Sequence, residues 1–387
     1  MARRDGTDLL QLQTGSTSVS RGVTPHGRLV LQATSAWVVC HGFALEGERA
    51  TATNQPNQHD PWRRVLLHCV IVPEKPTMGI RFSGKLVQRW CALGRRAMAD
   101  HLQEFRKQFR LHPELDLGTV QLAVEAIYEA QAIGFQFLAE VEPPTPKDGF
   151  RIHALLNLMS RIYEHAQAML VALATGSPAS CEALGRTVVE GAVNLMYLAA
   201  LGDASTLVAF LDSWVQEHDK KLAEWRRRVQ GAKDAEYIGK MIAERKELVD
   251  GYVKYLAQIQ SQCQIEEAQG SKTWPPTLLK RFEQLGRQTD YYESYHRLCG
   301  ASHITCEDTL SYLISLAFDG EYAQKVGAEA WAFSTMMSRL VSKFFVEAVT
   351  ACVIAYGRSG NEDLQTLRRK LAAGVRELTV AAGVPQV

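Results

Sequence analysis

No stretch of the 387 residues stays apolar for the roughly 18–20 residues that a bilayer span requires. The best candidates break early: "GAVNLMYLAALG" is interrupted by Asn194, and the run around "AVTACVIAYG" is preceded by Glu347. The start, "MARRDGTDLLQLQTGSTS", carries two arginines with no apolar segment behind them, which is not the pattern of a secretory signal. A cytoplasmic protein with no membrane partner is the expectation. C-x-x-C is missing as well. The eight cysteines (Cys40, Cys69, Cys91, Cys181, Cys263, Cys299, Cys306, Cys352) are scattered along the chain and read as reduced thiols, mostly in the core. P-loop, G-x-G-x-x-G, G-x-S-x-G and H-E-x-x-H patterns are absent, so no cofactor is expected. There is no large excess of one charge either: the net charge is +1, with 13 Lys/Arg against 6 Asp/Glu in residues 1–97 and 30 against 36 in the rest. The later, mildly acidic part lacks the dense basic stripe on which sequence-independent nucleic-acid binding rests.

What is present is a globular composition, 46% hydrophobic and 22% charged, enough to bury a sizeable core. Length allows one large domain or two modest ones. Residues 1–84 form an irregular N-terminal appendage by composition. Gly, Thr, Ser, Asn and Pro punctuate it, and only "RLVLQATSAWVVCHGF" and "RVLLHCVIV" resemble strands. A start at Met78 or Met98 would give the same change of character. From about Lys85 the apolar period becomes helical, and residues 85–357 read as an all-α multi-helix bundle. "LGTVQLAVEAIYEAQAIGFQFLAEV" ends at "EPPTPKDG", and "FRIHALLNLMSRIYEHAQAMLVALATG" stops at Gly176. The next helix starts with Ser177 as N-cap, Pro178 at the first position and Glu182 near the positive end of the dipole. A charged, partly exposed pair follows, "DASTLVAFLDSWVQEHDKKLAEWRRRVQ" and "DAEYIGKMIAERKELVDGYVKYLAQIQSQ". Residues 358–387 are expected as a short exposed amphipathic helix and tail.

Chemistry-bearing side chains concentrate in Tyr291 to Asp308, "YYESYHRLCGASHITCED". On a straight helix Tyr292, His296, Cys299, His303 and Cys306 fall at steps of four, three, four and three and share a face. Arg297 and His303, six apart, do not. Gly300 is a natural helix stop and "TCED" has the form of a new start, so a bend through "GASHI" is expected, turning His303 back toward Arg297. Three readings of the stretch stay open. Arg186, Glu190, Tyr292 or Tyr295 and His303 form a buried polar network that fixes bundle register. The histidine and arginine act on a substrate. Or metal is held by Cys299, His303 and Cys306, or by Glu293-x-x-His296 as half of a di-metal pattern, although neither set is complete. "EWRRRVQGAK" reads as a solvated helix face and "FSTMMSRLVSKFFVEAV" as core or dimer interface.

Arg297 and His303, with five residues between them, resemble the Arg-x4–6-His signature of the HEPN superfamily. "RTVVEGAVNLMYL" followed by "WPPTLLKRFEQLGRQTDYYESYHRLCGASH" is also similar to an uncharacterised bacterial all-helical family known only as a domain of unknown function. That family shows Arg-x3-Glu on one helix and Tyr-x3-Tyr leading to a small residue and His on another; Arg186, Glu190, Tyr291 or Tyr292, Tyr295, Ser302 and His303 stand in those places. The resemblance covers about residues 150–320. It implies metal-independent RNA cleavage in stress or phage defence by a homodimer whose Arg297/His303 pairs face a shared cleft. Histidine, with pKa near 6.5, would move the proton of a 2′-hydroxyl and arginine would clamp the phosphate. Arg186, Glu190, Tyr292, Tyr295, His296 and Ser302 would support them. The residue after the arginine, usually polar in active members, is Leu298. The alternative is a non-catalytic helical scaffold or regulatory module in which the same residues are structural. Deleting residues 1–77 is expected to leave solubility and melting temperature nearly unchanged. Loss of soluble protein on that deletion would show that the segment packs on the bundle.

Overall fold

The computed structural model of the protein describes residues 100–267, 273–302, 320–357 and 361–381, with positions 310, 313, 314 and 317 between them and only the backbone at 301 and 302. The expected appendage 1–84 and most of the helix expected from Thr305 lie outside the described residues. Within them every regular element is helical, as the sequence periodicity predicts. The helices are α1 His101–Gln108, α2 Gly118–Glu140, α3 Pro146–Ala174, α4 Pro178–Ala200, α5 Ala204–Arg228, α6 Ala235–Gln262, α7 Leu278–Gln284, α9 Gly320–Ala355 and α10 Glu362–Ala381. Between α7 and α9, α8 joins Gln288–Asp290, a π-helical turn Tyr291–Tyr295 and His296–Ser302 into one rod.

The boundaries follow local chemistry. Thr145 precedes Pro146 and its hydroxyl accepts from the Asp148 amide at 3.3 Å, which sets the start of α3. Gly176, with φ of +87°, closes α3 in a conformation that disfavours a Cβ, and the Ser177 amide reaches back to the Ala172 carbonyl at 2.8 Å. Ser177 and Pro178 then open α4 as expected, although the serine side chain makes no capping bond. At α5 the capping box is complete: the Asp203 carboxylate accepts from the amides of Ser205 and Thr206, and the Thr206 hydroxyl accepts from the Asp203 amide.

The main core is built around α9, which packs against α4, α2, α3 and α10. Met337, near the middle of the helix, and Phe344, Phe345, Val349 and Cys352 are buried along it, so "FSTMMSRLVSKFFVEAV" is core. Gly134 marks a close approach of three helices: a Cβ there would stand 2.7 Å from Val349 Cγ1 of α9 and 2.9 Å from Met159 Sδ of α3. The C-terminal helix departs from expectation. Its charged face is exposed, but α10 folds back on α9 and α2, burying Leu364 and Leu371 in the same core, and the Gly374 carbonyl accepts from Arg339 at 2.8 Å. Its apolar stripe needed a partner that local sequence could not name. Cys181 and Cys352 are buried thiols, each pushed up to about 12 by burial. They remain protonated and inert at neutral pH.

The α5–α6 hairpin has a separate, smaller core of Val215, Leu222, Ile242, Val249 and Leu256, at seven-residue steps on each helix. Arg226, Arg227 and Arg228 are exposed on α5, Arg228 pairing with Glu224, as a solvated face requires.

Arg151 of α3 closes the far end of α4. One of its terminal nitrogens donates to the carbonyls of Leu198 and Ala199, orphans that the last helical turn leaves open, and to that of Gly202 just beyond the helix, all at 2.8–2.9 Å. At the other end of the molecule, α1 is held through His101, whose Nε2 lies 3.0 Å from Glu129 of α2. The hydrogen bond to Glu129 raises the imidazole pKa against the opposing effect of burial, and the same bond lowers that of Glu129. A raised histidine contributes its stabilisation fully below its unfolded pKa and loses it as pH rises through the folded value. The lowered carboxylate contributes above its own unfolded pKa. The pair should therefore stabilise most at roughly pH 5–6. Urea unfolding of wild type and His101→Gln should differ most in that window and converge as pH rises past the folded histidine's pKa. A difference that grows with pH would refute the assignment.

Candidate functional site

The polar residues of α4 lie along one stripe. Arg186, Glu190, Asn194 and Tyr197 are spaced four, four and three, the steps that keep a helix face in register. An apolar neighbour would leave each of them desolvated without a partner, at a cost of about 1–3 kcal/mol apiece. The neighbour is the α7–α8 segment, and it answers each one. The Tyr295 hydroxyl accepts from Arg186 Nε at 3.3 Å and Nη2 at 3.1 Å, and lies 3.4 Å from Glu190 Oε2, to which it donates. Arg281 donates to the Asn194 side-chain oxygen, and the Tyr197 hydroxyl donates to Gln284 at 2.7 Å. The Arg281 guanidinium also lies over the Trp274 ring, 4.6 Å from its centre.

The charges follow from this packing. The hydrogen bonds to Tyr295 raise the Arg186 pKa. Burial raises that of Tyr295, so the phenol stays neutral and keeps the proton it gives to Glu190. Arg281 is 8% exposed, and burial lowers its pKa while the Glu190 charge opposes that shift. The seam is thus a line of two arginines, one carboxylate and two phenols, linked from one helix layer to the next.

The backbone of α8 decides which side chains reach the seam. The His296 amide bonds to the Tyr291 carbonyl, five residues back, and the Ser294 hydroxyl also bonds into this turn at the Asp290 carbonyl. One extra residue per turn rotates everything after it by roughly 100° relative to a straight α-helix. Ser294, Tyr295 and Leu298 turn inward; Tyr292, Glu293, His296 and Arg297 turn to solvent. The straight-helix face expected from Tyr292, His296 and Cys299 is therefore not the buried one, and Tyr292 is 51% exposed. Of the bend expected through "GASHI", Gly300 does not stop the helix, which runs on to Ser302, and His303 and Ile304 lie outside the described residues; the irregularity within them is the π-helical turn. Leu298, at the position next to Arg297, is fully buried and reaches within 3.7 Å of where a Cβ on Gly185 would stand.

Of the candidate residues, Arg186, Glu190 and Tyr295 come together. Tyr292, His296 and Arg297 lie on the outer face of α8, with the Tyr292 and His296 rings 6.2 Å apart. Ser302 is the last helical residue, and His303 lies outside the described residues. No group of three or more metal-ligating side chains occurs among the described residues. Glu293 and His296 are both exposed and Cys299 is half-buried. Arg281 and Gln284 were not singled out by the sequence, although Arg281 falls on the apolar side of "LLKRFEQL", where a charge calls for a partner.

The fold and its seam define a class, an all-helical bundle whose fourth helix is tied to the α7–α8 segment by a tyrosine-centred polar network. Residues 152–322 match a family of unknown function (DUF5677), and the whole seam from Arg186 to Tyr295 falls inside that match. No curated protein and no solved structure gives a significant match. No helix of the described residues is long and apolar enough to cross a membrane.

The seam's worth is measurable. Tyr295→Phe should cost about 1–2 kcal/mol in urea unfolding, because it leaves Glu190 and Arg186 without the hydroxyl between them. Combined with Arg186→Met it should cost less than the sum of the two single changes, by on the order of 1 kcal/mol in a double-mutant cycle. Strict additivity would mean that the contact carries no energy.

Proposed function

We propose that the chain is a non-catalytic helical scaffold or regulatory module, working in the cytoplasm, whose Arg186/Glu190/Tyr295 cluster holds the bundle together rather than acting on a substrate. The observation that carries this reading is the partnering of the seam: Arg186, Glu190, Asn194 and Tyr197 each meet a polar group of α7–α8. A catalytic group needs a free face toward its substrate, whereas these groups spend their hydrogen bonds on each other. The buried, protonated thiols of Cys181 and Cys352 fit a reducing compartment.

A second reading, metal-independent cleavage of RNA, is favoured by one observation: Arg297 stands exposed on α8, beside exposed His296, rather than inside the seam. In that case Arg297 clamps a phosphate and His303 moves the proton, with the chain acting as a homo-oligomer. The two readings separate on purified protein incubated with single-stranded and transfer RNA, with and without divalent metal. The scaffold reading expects intact RNA. It also expects Arg297→Ala to change stability by less than about 0.5 kcal/mol, as for an exposed side chain away from the seam. RNA cleavage that Arg297→Ala and His303→Ala both abolish would overturn the scaffold reading and establish the second.

A further inference from the structure

The two sides of the α5–α6 hairpin differ sharply. On one, Asp219, Lys246 and Asp250 form an ion-pair ladder, with Lys246 3.1 Å from Asp219 across the hairpin. On the other, Trp214 of α5 meets Tyr252 of α6 edge-on, ring centres 5.5 Å apart, and Arg245 lies over the Trp214 ring. This second side is an apolar stripe beside the hairpin's own core. Met241, Leu248 and Tyr255 follow one another at seven-residue steps along it, a heptad repeat with no helix packed against it among the described residues. Near the turn between the helices it shows Trp225, Tyr237 and Met241; near the bundle it shows Trp214, Tyr252 and Tyr255; Leu248 lies between.

These seven side chains are each 37–68% exposed. At about 200 Å² for a large side chain they present on the order of 600 Å², the upper end of what a soluble monomer carries in one patch. Two such faces together supply roughly 1,200 Å² before any rim is counted, which is the lower bound of a standard interface. The centre of the face also maps onto itself by reversal. Met241 and Tyr255 stand seven residues on either side of Leu248, so a half-turn about an axis across the hairpin at Leu248 places Met241 of one copy against Tyr255 of the other. On α5 Trp214 and Trp225 stand toward the two ends of the face, so the same half-turn carries each toward the other's end. A surface complementary to its own reversed copy is what an isologous two-fold contact requires.

We propose that the chain forms a two-fold homodimer through this face, with the hairpins of two copies packed antiparallel as a four-helix bundle. The occupant is a second copy, and the contact holds whichever reading of the seam is right. Sedimentation of the full chain should show a species of twice the 43.1 kDa chain mass that dissociates on dilution. Trp214→Asp and Trp225→Asp should each weaken dimerisation at least tenfold while the far-UV circular dichroism is unchanged. Leu248→Cys, which the half-turn sets against its own copy, should form an intermolecular disulfide under mild oxidation that the wild-type chain does not form. That crosslink decides the matter even if the tryptophan variants misfold. A chain monomeric at all concentrations would leave the face to another occupant and overturn the proposal. So would a dimer indifferent to both tryptophan substitutions, or one that Leu248→Cys does not crosslink.

Discussion

The position of α7 and α8 depends on one constraint: α4 carries two charges and an amide along a stripe that the bundle covers. Arg186 and Glu190 stand one turn apart and had a simpler solution in pairing along their own helix, worth only a few tenths of a kcal/mol. They do not pair directly. The Tyr295 hydroxyl stands between them, accepting from the arginine and donating to the carboxylate. An intrahelical pair would have fixed nothing between helices, whereas the phenol ties α8 to α4 in one register. Arg281 to Asn194 and Tyr197 to Gln284 extend the same logic for two more turns.

That registry needs a side chain to arrive at the right rotation, and the π-helical turn supplies it. Without the extra residue at Tyr291–Tyr295, Tyr295 and Leu298, which share a face three residues apart, would together be rotated by roughly 100° relative to the start of α8. The turn therefore divides a polar stretch into two populations. Ser294 and Tyr295 belong to the bundle; Tyr292, His296 and Arg297 belong to the surface. Leu298 stays with the core, which explains an apolar residue beside Arg297.

The hairpin follows a different economy. The main bundle surrounds α9 with helices on several sides, whereas α5 and α6 share a seam only one buried residue wide per heptad. Such a narrow core leaves its flanks exposed. On one flank Asp219, Lys246 and Asp250 satisfy one another; on the other the large side chains are mostly aromatic. A second copy on the aromatic flank would turn a two-helix seam into a four-helix core, with Met241, Leu248 and Tyr255 changing from exposed side chains into knobs.

The sequence by itself determined the helical class, the pair of long charged helices, the start of α4 at Ser177 and Pro178, and the core character of Phe344 and Phe345. These are properties of periodicity and capping, which act over one or two turns and so are legible locally. It also determined that Arg186 and Glu190 need partners, because a charge in an apolar helix carries that requirement wherever it sits. Only the tertiary structure decided who the partners are. Tyr295 lies 109 residues from Arg186, and choosing it over Tyr292 depended on a π-helical turn with no local signature to distinguish it from an ordinary helix. The burial of α10 was settled the same way, since an amphipathic stripe states that a helix has a face to cover and not what will cover it.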